Sequence, residues 1–328
     1  FMNYAKVRKD EIEQDQNKQK TSSKKKKKKK GRSPSEEAAA AAKEDNLFSA
    51  KSSYRAYSRM HCSFVFPEPI PRPYPLELIM EQVGKKMVEG LKKTEARIAL
   101  IIEEKRLGRN NLVNKFDDAI KETEKSEKEE KKEISIAYEK KKNEALQLLE
   151  RRSQEFLKMD DPNGLMKYSP KYNKILKKIH ELSKDGKNLG TAFVYTEYKT
   201  LEGIAVFSIV LKANGYAPFR LGKNANGDWI QEFKSDDEIN KPKYAFWGGD
   251  ETQSDIIRKI YNNDFDDLPK SLTDQFKTMK ANNLRGDVIK VLMTTKSGAE
   301  GIDLHNVRQV HVVEPYWNPV RIKQVMGR

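Results

Sequence analysis

Cysteine is nearly absent from this chain: 328 residues contain one, Cys62. A lone thiol excludes an intramolecular disulfide and fits a reducing compartment. Histidine is almost as scarce, with four residues and no zinc-ligand spacing, so no metal site is expected. No apolar run approaches the length that crosses a bilayer, and the N-terminus lacks the apolar stretch of a secretory signal. The sequence therefore predicts a soluble, intracellular protein with no membrane partner. The chain starts on Phe1 and stops after Gly327-Arg328, and both ends read as those of a fragment.

Charge is abundant. Asp, Glu, Lys and Arg make up 34% of the residues, and Lys and Arg exceed Asp and Glu by enough to give a formal net charge of +15. Clustered cations release counterions from phosphate backbones, so a polyanion is the default partner. The charge is unevenly spread, and only part of the chain has the apolar content for a sizeable core.

Residues 1–46 are of low complexity, with seven consecutive lysines at 24–30 and five alanines at 38–42. Such a segment buries too little apolar surface to offset its ordering entropy, and reads as a disordered linker. The lysine run also suits a nuclear-import signal or a phosphate tether. Residues 47–75 carry Tyr54, Tyr57, Phe64 and Phe66, then Pro67, Pro69, Pro71, Pro73 and Pro75. Repeated prolines fix φ and remove donors, which predicts an extended segment, neither strand nor helix, lying over a surface. Residues 76–159 read as a charged helical insertion, with Glu-to-Lys pairs four apart such as Glu124 with Lys128, and glycine breaks at Gly84, Gly90 and Gly108. A weak apolar stripe runs through Ile134, Tyr138, Ala145, Leu148, Leu149 and Phe156.

From 160 to 328 helical patterns alternate with short apolar runs. Ser169-Pro170 reads as an N-cap and first helical residue, opening a helix over 171–184. Strands are expected at 191–195, 217–221, 244–247, 288–293 and 307–313, with helices over 201–213 and 254–262. This alternation predicts an α/β domain with a parallel sheet and helices on both faces.

In such a sheet, ligands collect where strands end. Thr294, Thr295, Lys296, Ser297, Gly298 and Gly301 directly follow the strand at 288–293, a pattern suited to phosphate and equally to an ordinary glycine-bearing turn. The chain then runs through a second strand to Glu314-Pro315-Tyr316-Trp317-Asn318-Pro319 and Gln324-Val325-Met326-Gly327-Arg328. In that order these motifs resemble the closing motifs of superfamily II helicases, especially the Swi/Snf-like ATPases of large nucleocytoplasmic DNA viruses, relatives of the poxvirus early transcription factor and nucleoside-triphosphatase subunits. Residues 193–203 and 244–251 resemble the opening strand-and-turn and the third strand with its Gly turn.

The resemblance implies a RecA-like C-terminal lobe, truncated in its last motif. It implies Arg328 as an arginine finger, Gln324 one turn back on the same helix, and Gly301, Asp303 and Gly327 at the nucleotide edge. Thr196, Lys199, Thr200, Thr294, Thr295 and Lys296 become contacts to nucleic-acid phosphate. Trp317 stacks on a ligand or packs in the core. A second arginine of the finger motif would fall three residues beyond Arg328, and a neighbouring arginine after the Gly turn is replaced by Ser254.

The implied cofactors are ATP and Mg2+, held mainly by an N-terminal RecA-like lobe. These residues contain neither a Gly-x-x-x-x-Gly-Lys-Ser/Thr loop nor an Asp-Glu-x-His-type pair after an apolar strand. Alone, the chain is expected to be inactive in hydrolysis. The expected partners are double-stranded DNA, the N-terminal lobe and a viral RNA polymerase or transcription factor, in a virion or viral factory. The alternative is a non-catalytic nucleic-acid-binding scaffold that keeps the fold.

Overall fold

The computed structural model describes residues 56–73, 111–184, 187–279, 281–295, 302–314, 323 and 326–327. The lysine run, the Ala tract, the glycine breaks at 84, 90 and 108, the turn at 296–301 and the Trp-Asn-Pro segment lie outside them. Two compact units are present: one comprises Phe1–Pro69 and Leu148–Arg328, the other Ile70–Gln147.

The second unit is dominated by α2 (Asn111–Arg151), a helix of 41 residues whose last four belong by sequence to the first unit. It contains no proline or glycine, and ion pairs one turn apart, such as Lys142 with Glu139, support its polar side. Its apolar stripe becomes buried towards the C-terminus, at Ala145 and Leu149. No described helix is long and apolar enough to cross a membrane.

The first unit is built on a five-stranded sheet. Its strands are β3 (Thr191–Tyr195), β4 (Ala217–Pro218), β7 (Lys243–Trp247), β8 (Val291–Thr294) and β9 (Val307–Val312), in the order β4-β7-β8-β3-β9. Every described pairing in it is parallel. Strands covered on both faces need apolar residues on both sides, and all five residues of β3 and all four of β8 are buried. One face holds Phe193, Tyr195, Ala245 and Leu292 against α7 (Glu251–Asn262) and α8 (Lys270–Thr278), through Ile256, Ile260, Leu272 and Phe276. On the opposite face Tyr244 bonds Ser208 of α6 (Ile204–Ala213). Beside α6 packs α5 (Pro170–His180), with the Tyr172 and Phe207 rings 4.8 Å apart. The parallel sheet with helices on both faces is the α/β arrangement that the RecA-like resemblance implies.

Local chemistry explains the boundaries. Ser169 Oγ accepts from Tyr172 N at 3.0 Å with proline at the first helical position, as its sequence predicts. The helix stops at His180 rather than 184, because Ser183–Lys184 (β1) turns back on Lys187–Asn188 (β2). The strand expected at 288–293 starts only at Val291, since Asn283 Oδ1 captures the Val288 and Ile289 N–H groups at 3.0 and 2.8 Å.

Two expectations are corrected outright. The segment at 217–221 is not one strand: Phe219 N–H still bonds Tyr244 O of β7 at 2.8 Å, and beyond it the chain leaves the main sheet, where Arg220–Lys223 (β5) forms an antiparallel hairpin with Trp229–Glu232 (β6). The segment at 47–75 is not wholly extended, because Ala56–His61 forms a short helix, α1. The prolines begin only at Pro67 and leave residues upstream free to turn, and Ser63 N closes that turn on Met60 O at 2.9 Å. Pro67, Pro69, Pro71 and Pro73 lie in neither helix nor strand, and Pro75 lies outside the described residues. The helix at Lys270–Thr278 was not anticipated.

Candidate nucleic-acid interface

β3, β7 and β8 end in register at Tyr195, Trp247 and Thr294. Three loops leave from this end, and with them most of the described candidate residues.

The turn at 196–203 links β3 to α6. Leu201 takes a left-handed φ of 45°, and a side chain at Gly203 would meet Tyr198 O at 1.8 Å, so only glycine fits there. The first α6 amides are already satisfied: Ile204 N bonds Tyr198 O at 3.0 Å and Ala205 N bonds Lys199 O at 3.2 Å. Thr196 is buried, its hydroxyl donating to Glu314 Oε2 at 2.7 Å. Lys199 and Thr200 are exposed, and the Lys199 ammonium lies 5.1 Å from the Phe246 ring centroid. Of this turn, Lys199 and Thr200 present their side chains to solvent.

At the end of β8, Thr294 and Thr295 are buried, and Thr294 Oγ1 donates to Trp247 O at 3.0 Å. That bond ties β8 to the next loop. Gly248 and Gly249, with φ of 141° and 105°, form the turn into α7, capped by Asp250 Oδ1 on Gln253 N at 2.8 Å. An open hollow of about 390 Å³ lies here, lined by Trp247, Gly248, Gly249, Glu251, Ser254, Asp255 and Arg258. Trp247 Nε1 is buried with no acceptor among the described residues. Arg258 pairs with Asp255 at 2.8 Å. Ser254 thus has an arginine one turn beyond it on the same face of the helix. Phe246 joins the hollow to the turn, since its ring lies against Gly248 and beneath Lys199.

Asp303 stands apart. Its carbonyl accepts from Asn262 Nδ2 at 3.0 Å, at the C-terminal end of α7, and Asn306 O accepts from Thr191 Oγ1 at 3.1 Å, at the start of β3. The loop is therefore pinned at the opposite end of the sheet from Thr196 and Thr294. The Asp303 carboxylate is exposed, 3.7 Å from His305 Nε2. Gly327 is exposed and its N–H bonds Lys323 O at 3.0 Å, one helical turn. Lys296, Gly301, Gln324 and Arg328 lie outside the described residues.

Sequence reasoning passed over Glu314 as a site residue, although it stands within a quoted motif. It is buried at the end of β9, where desolvation pushes its carboxyl above the usual range despite hydrogen bonds from Thr196, Glu197 and Ser63 and the charge of Lys171. No alternating pattern advertises a single buried acid. The Gly248-Gly249 turn was read as a motif, but Arg258 was not singled out.

Residues 254–328 match the helicase conserved C-terminal domain. Over those residues the chain carries a helicase C-terminal domain. It is 30% identical over 166 residues to "Putative ATP-dependent RNA helicase R563" of Acanthamoeba polyphaga mimivirus, covering 50% of this chain and 22% of that protein. To "Putative ATP-dependent RNA helicase R350" of the same virus it is 31% identical over 139 residues, 42% of this chain and 13% of that one. A "Termination factor NPH-I homolog" of African swine fever virus (isolate Tick/South Africa/Pretoriuskop Pr4/1996) is 54% identical over 46 residues, 14% of this chain and 6% of that protein. The chain thus spans less than a quarter of the length of each of these relatives. No solved structure matches. The helicase domain is of the kind found in giant viruses and African swine fever virus, as its motifs imply.

Proposed function

We propose that the chain is the motor lobe of an ATP-driven translocase on double-stranded DNA, acting in viral transcription. The observation that carries this reading is the meeting of the 196–200 turn and the Gly248-Gly249 hollow at one end of a helicase-domain sheet. There Lys199, Thr200 and Arg258 offer cations and a hydroxyl to a phosphate backbone.

Mg2+ would be held mainly by the lobe that carries the phosphate loop, through one or two carboxylates and the phosphates themselves. ATP phosphates belong to a lobe with the phosphate loop that this sequence lacks. Arg328 would act towards that lobe by stabilising charge on the transferred phosphoryl group. The viral relatives suit a virion or viral factory, with a viral RNA polymerase or transcription factor as partner.

The decisive measurement is nucleic-acid-stimulated ATPase of the longer protein, with duplex DNA and RNA compared as activators. Arg328→Ala should lower its kcat about a thousandfold or more, in keeping with arginine fingers elsewhere. Intact activity in that variant would sink the catalytic reading. It would favour the scaffold alternative, which the buried, internally bonded hydroxyls of Thr196 and Thr294 also suit. Stimulation by RNA and not by duplex DNA would overturn the choice of substrate.

A further inference from the structure

We infer that Glu314 is a positioning residue for nucleic-acid binding, fixing the 196–200 turn and clamping the 59–66 segment against it. The inference rests on the interface reading above.

Three donors from two remote parts of the chain converge on this one carboxylate. Oε2 accepts from Thr196 Oγ1 at 2.7 Å and Glu197 N at 3.0 Å, and Oε1 from Ser63 Oγ at 2.9 Å. Ser63 is itself held on two more sides: its carbonyl accepts from Ser169 Oγ at 2.5 Å and its hydroxyl from Lys171 Nζ at 3.1 Å. The 59–66 segment returns to the same turn through Arg59, paired with Glu197 at 2.7 Å and 5.9 Å from the Tyr198 ring centroid. Val65 N then ties the segment to Tyr168 O at 2.9 Å.

A buried carboxylate is costly, and packing alone does not require one. What an ionised acid supplies is strong acceptance for several donors at once, which fixes their directions. Here the oriented groups are the first two residues of the turn whose next members, Lys199 and Thr200, are exposed. In sequence, Glu314 also immediately precedes the Pro315-Tyr316-Trp317-Asn318-Pro319 motif.

Glutamine can replace the carboxylate. Its oxygen at the Oε2 position still accepts from Thr196 and Glu197, and its amide donates to Ser63 Oγ, which turns its own proton to Arg59 O, 3.3 Å away. Alanine offers none of this.

The test is anisotropy of a labelled 25-base-pair duplex with the full 328-residue chain across a salt series, alongside thermal unfolding. Glu314→Ala should weaken binding about tenfold, the loss of one to two oriented contacts, and Glu314→Gln should stay within about twofold. If Glu314 acts through the turn, Glu314→Ala and Lys199→Ala are non-additive, and the double variant binds little worse than Glu314→Ala alone. Additive losses, or an alanine variant that binds as wild type does, would overturn the proposal. Should Glu314→Ala not fold, Ser63→Ala replaces it: a loss of about threefold, non-additive with Lys199→Ala, is expected, and additivity again overturns. A wild-type chain that binds no duplex would remove the interface itself, which is a different failure.

Discussion

Lys290 lies just before β8 with its side chain wholly buried, and its ammonium donates to Leu182 O at 2.8 Å. Desolvation lowers its pKa to about 8, against an opposing pull from Asp287. Between that value and the ordinary lysine value of 10.5 the unfolded chain binds more protons than the folded one, so stability rises with pH. Lys290→Met should flatten the climb of melting temperature between about pH 8 and 9.5. A slope unchanged from wild type would assign it to another group. The window ends there because burial raises the phenols of Tyr172, Tyr216, Tyr244 and Tyr261, which reverses the trend at higher pH. Glu314 has the opposite sign. Its raised carboxyl favours the folded state at low pH, and that contribution fades as pH climbs through its folded pKa, with Lys171 and Arg59 the cations that moderate it. Glu314→Gln should therefore melt at or above wild type at pH 7, and Glu314→Ala below it. A glutamine variant that melts well below wild type would show that the ionised group itself holds the fold. Neither residue was legible as special from sequence, because a lysine or glutamate is solvated by default and only tertiary packing buries it.

At the scale of the element, legibility followed the apolar pattern rather than burial alone. β3 and β7, largely buried, read as apolar runs and were placed within a residue, and the half-exposed edge strand β9 was placed as closely through Val307, Val310 and Val312. The hairpin of β5 and β6 was missed or misjoined: its strands are half exposed, carry Arg220, Lys223 and Glu232, and flank a turn at Gly227 with φ of 84°. The hairpin depends on a helix the sequence did not reveal. Gln275 of α8 accepts from Gln231 N at 2.8 Å and donates to Gln231 O at 3.0 Å, serving both outward-facing backbone groups of that residue. Gln275→Ala leaves that pair unmet and should cost roughly 1–3 kcal/mol in urea unfolding, with faster amide exchange confined to the hairpin. Uniform loss of protection across the sheet would show instead that the hairpin is integral to the core. The turns at 196–203 and 248–250 were visible as motifs because their glycines are forced by close approach and positive φ, which leaves a signature in sequence.

Across the whole molecule the excess of positive charge bears on the reading of this protein in two separable ways. A run of seven lysines at 24–30 attracts any polyanion, whereas Lys199 and Arg258 belong to a shaped surface at the strand ends. Both raise affinity, so affinity at one salt concentration confounds them. The salt slope separates them, because each phosphate neutralised on duplex DNA contributes about −0.9 to the slope of log K against log salt. Replacing all seven lysines by serine should flatten the slope by several units if the run is a tether, and by less than about one unit if it is a solvated linker. Lys199→Ala should reduce it by about one in either background. The linker outcome is expected from the segment's composition, and the alternative is the tether. With a tether the serine variant loses affinity steeply below about 0.1 M salt, where screening is weak, and converges on wild type above it. Convergence also has to leave the Lys199 effect in place. A serine variant insensitive to Lys199→Ala at every salt concentration would mean that the lysine run supplied the binding, and that the end of the sheet is not where nucleic acid lies.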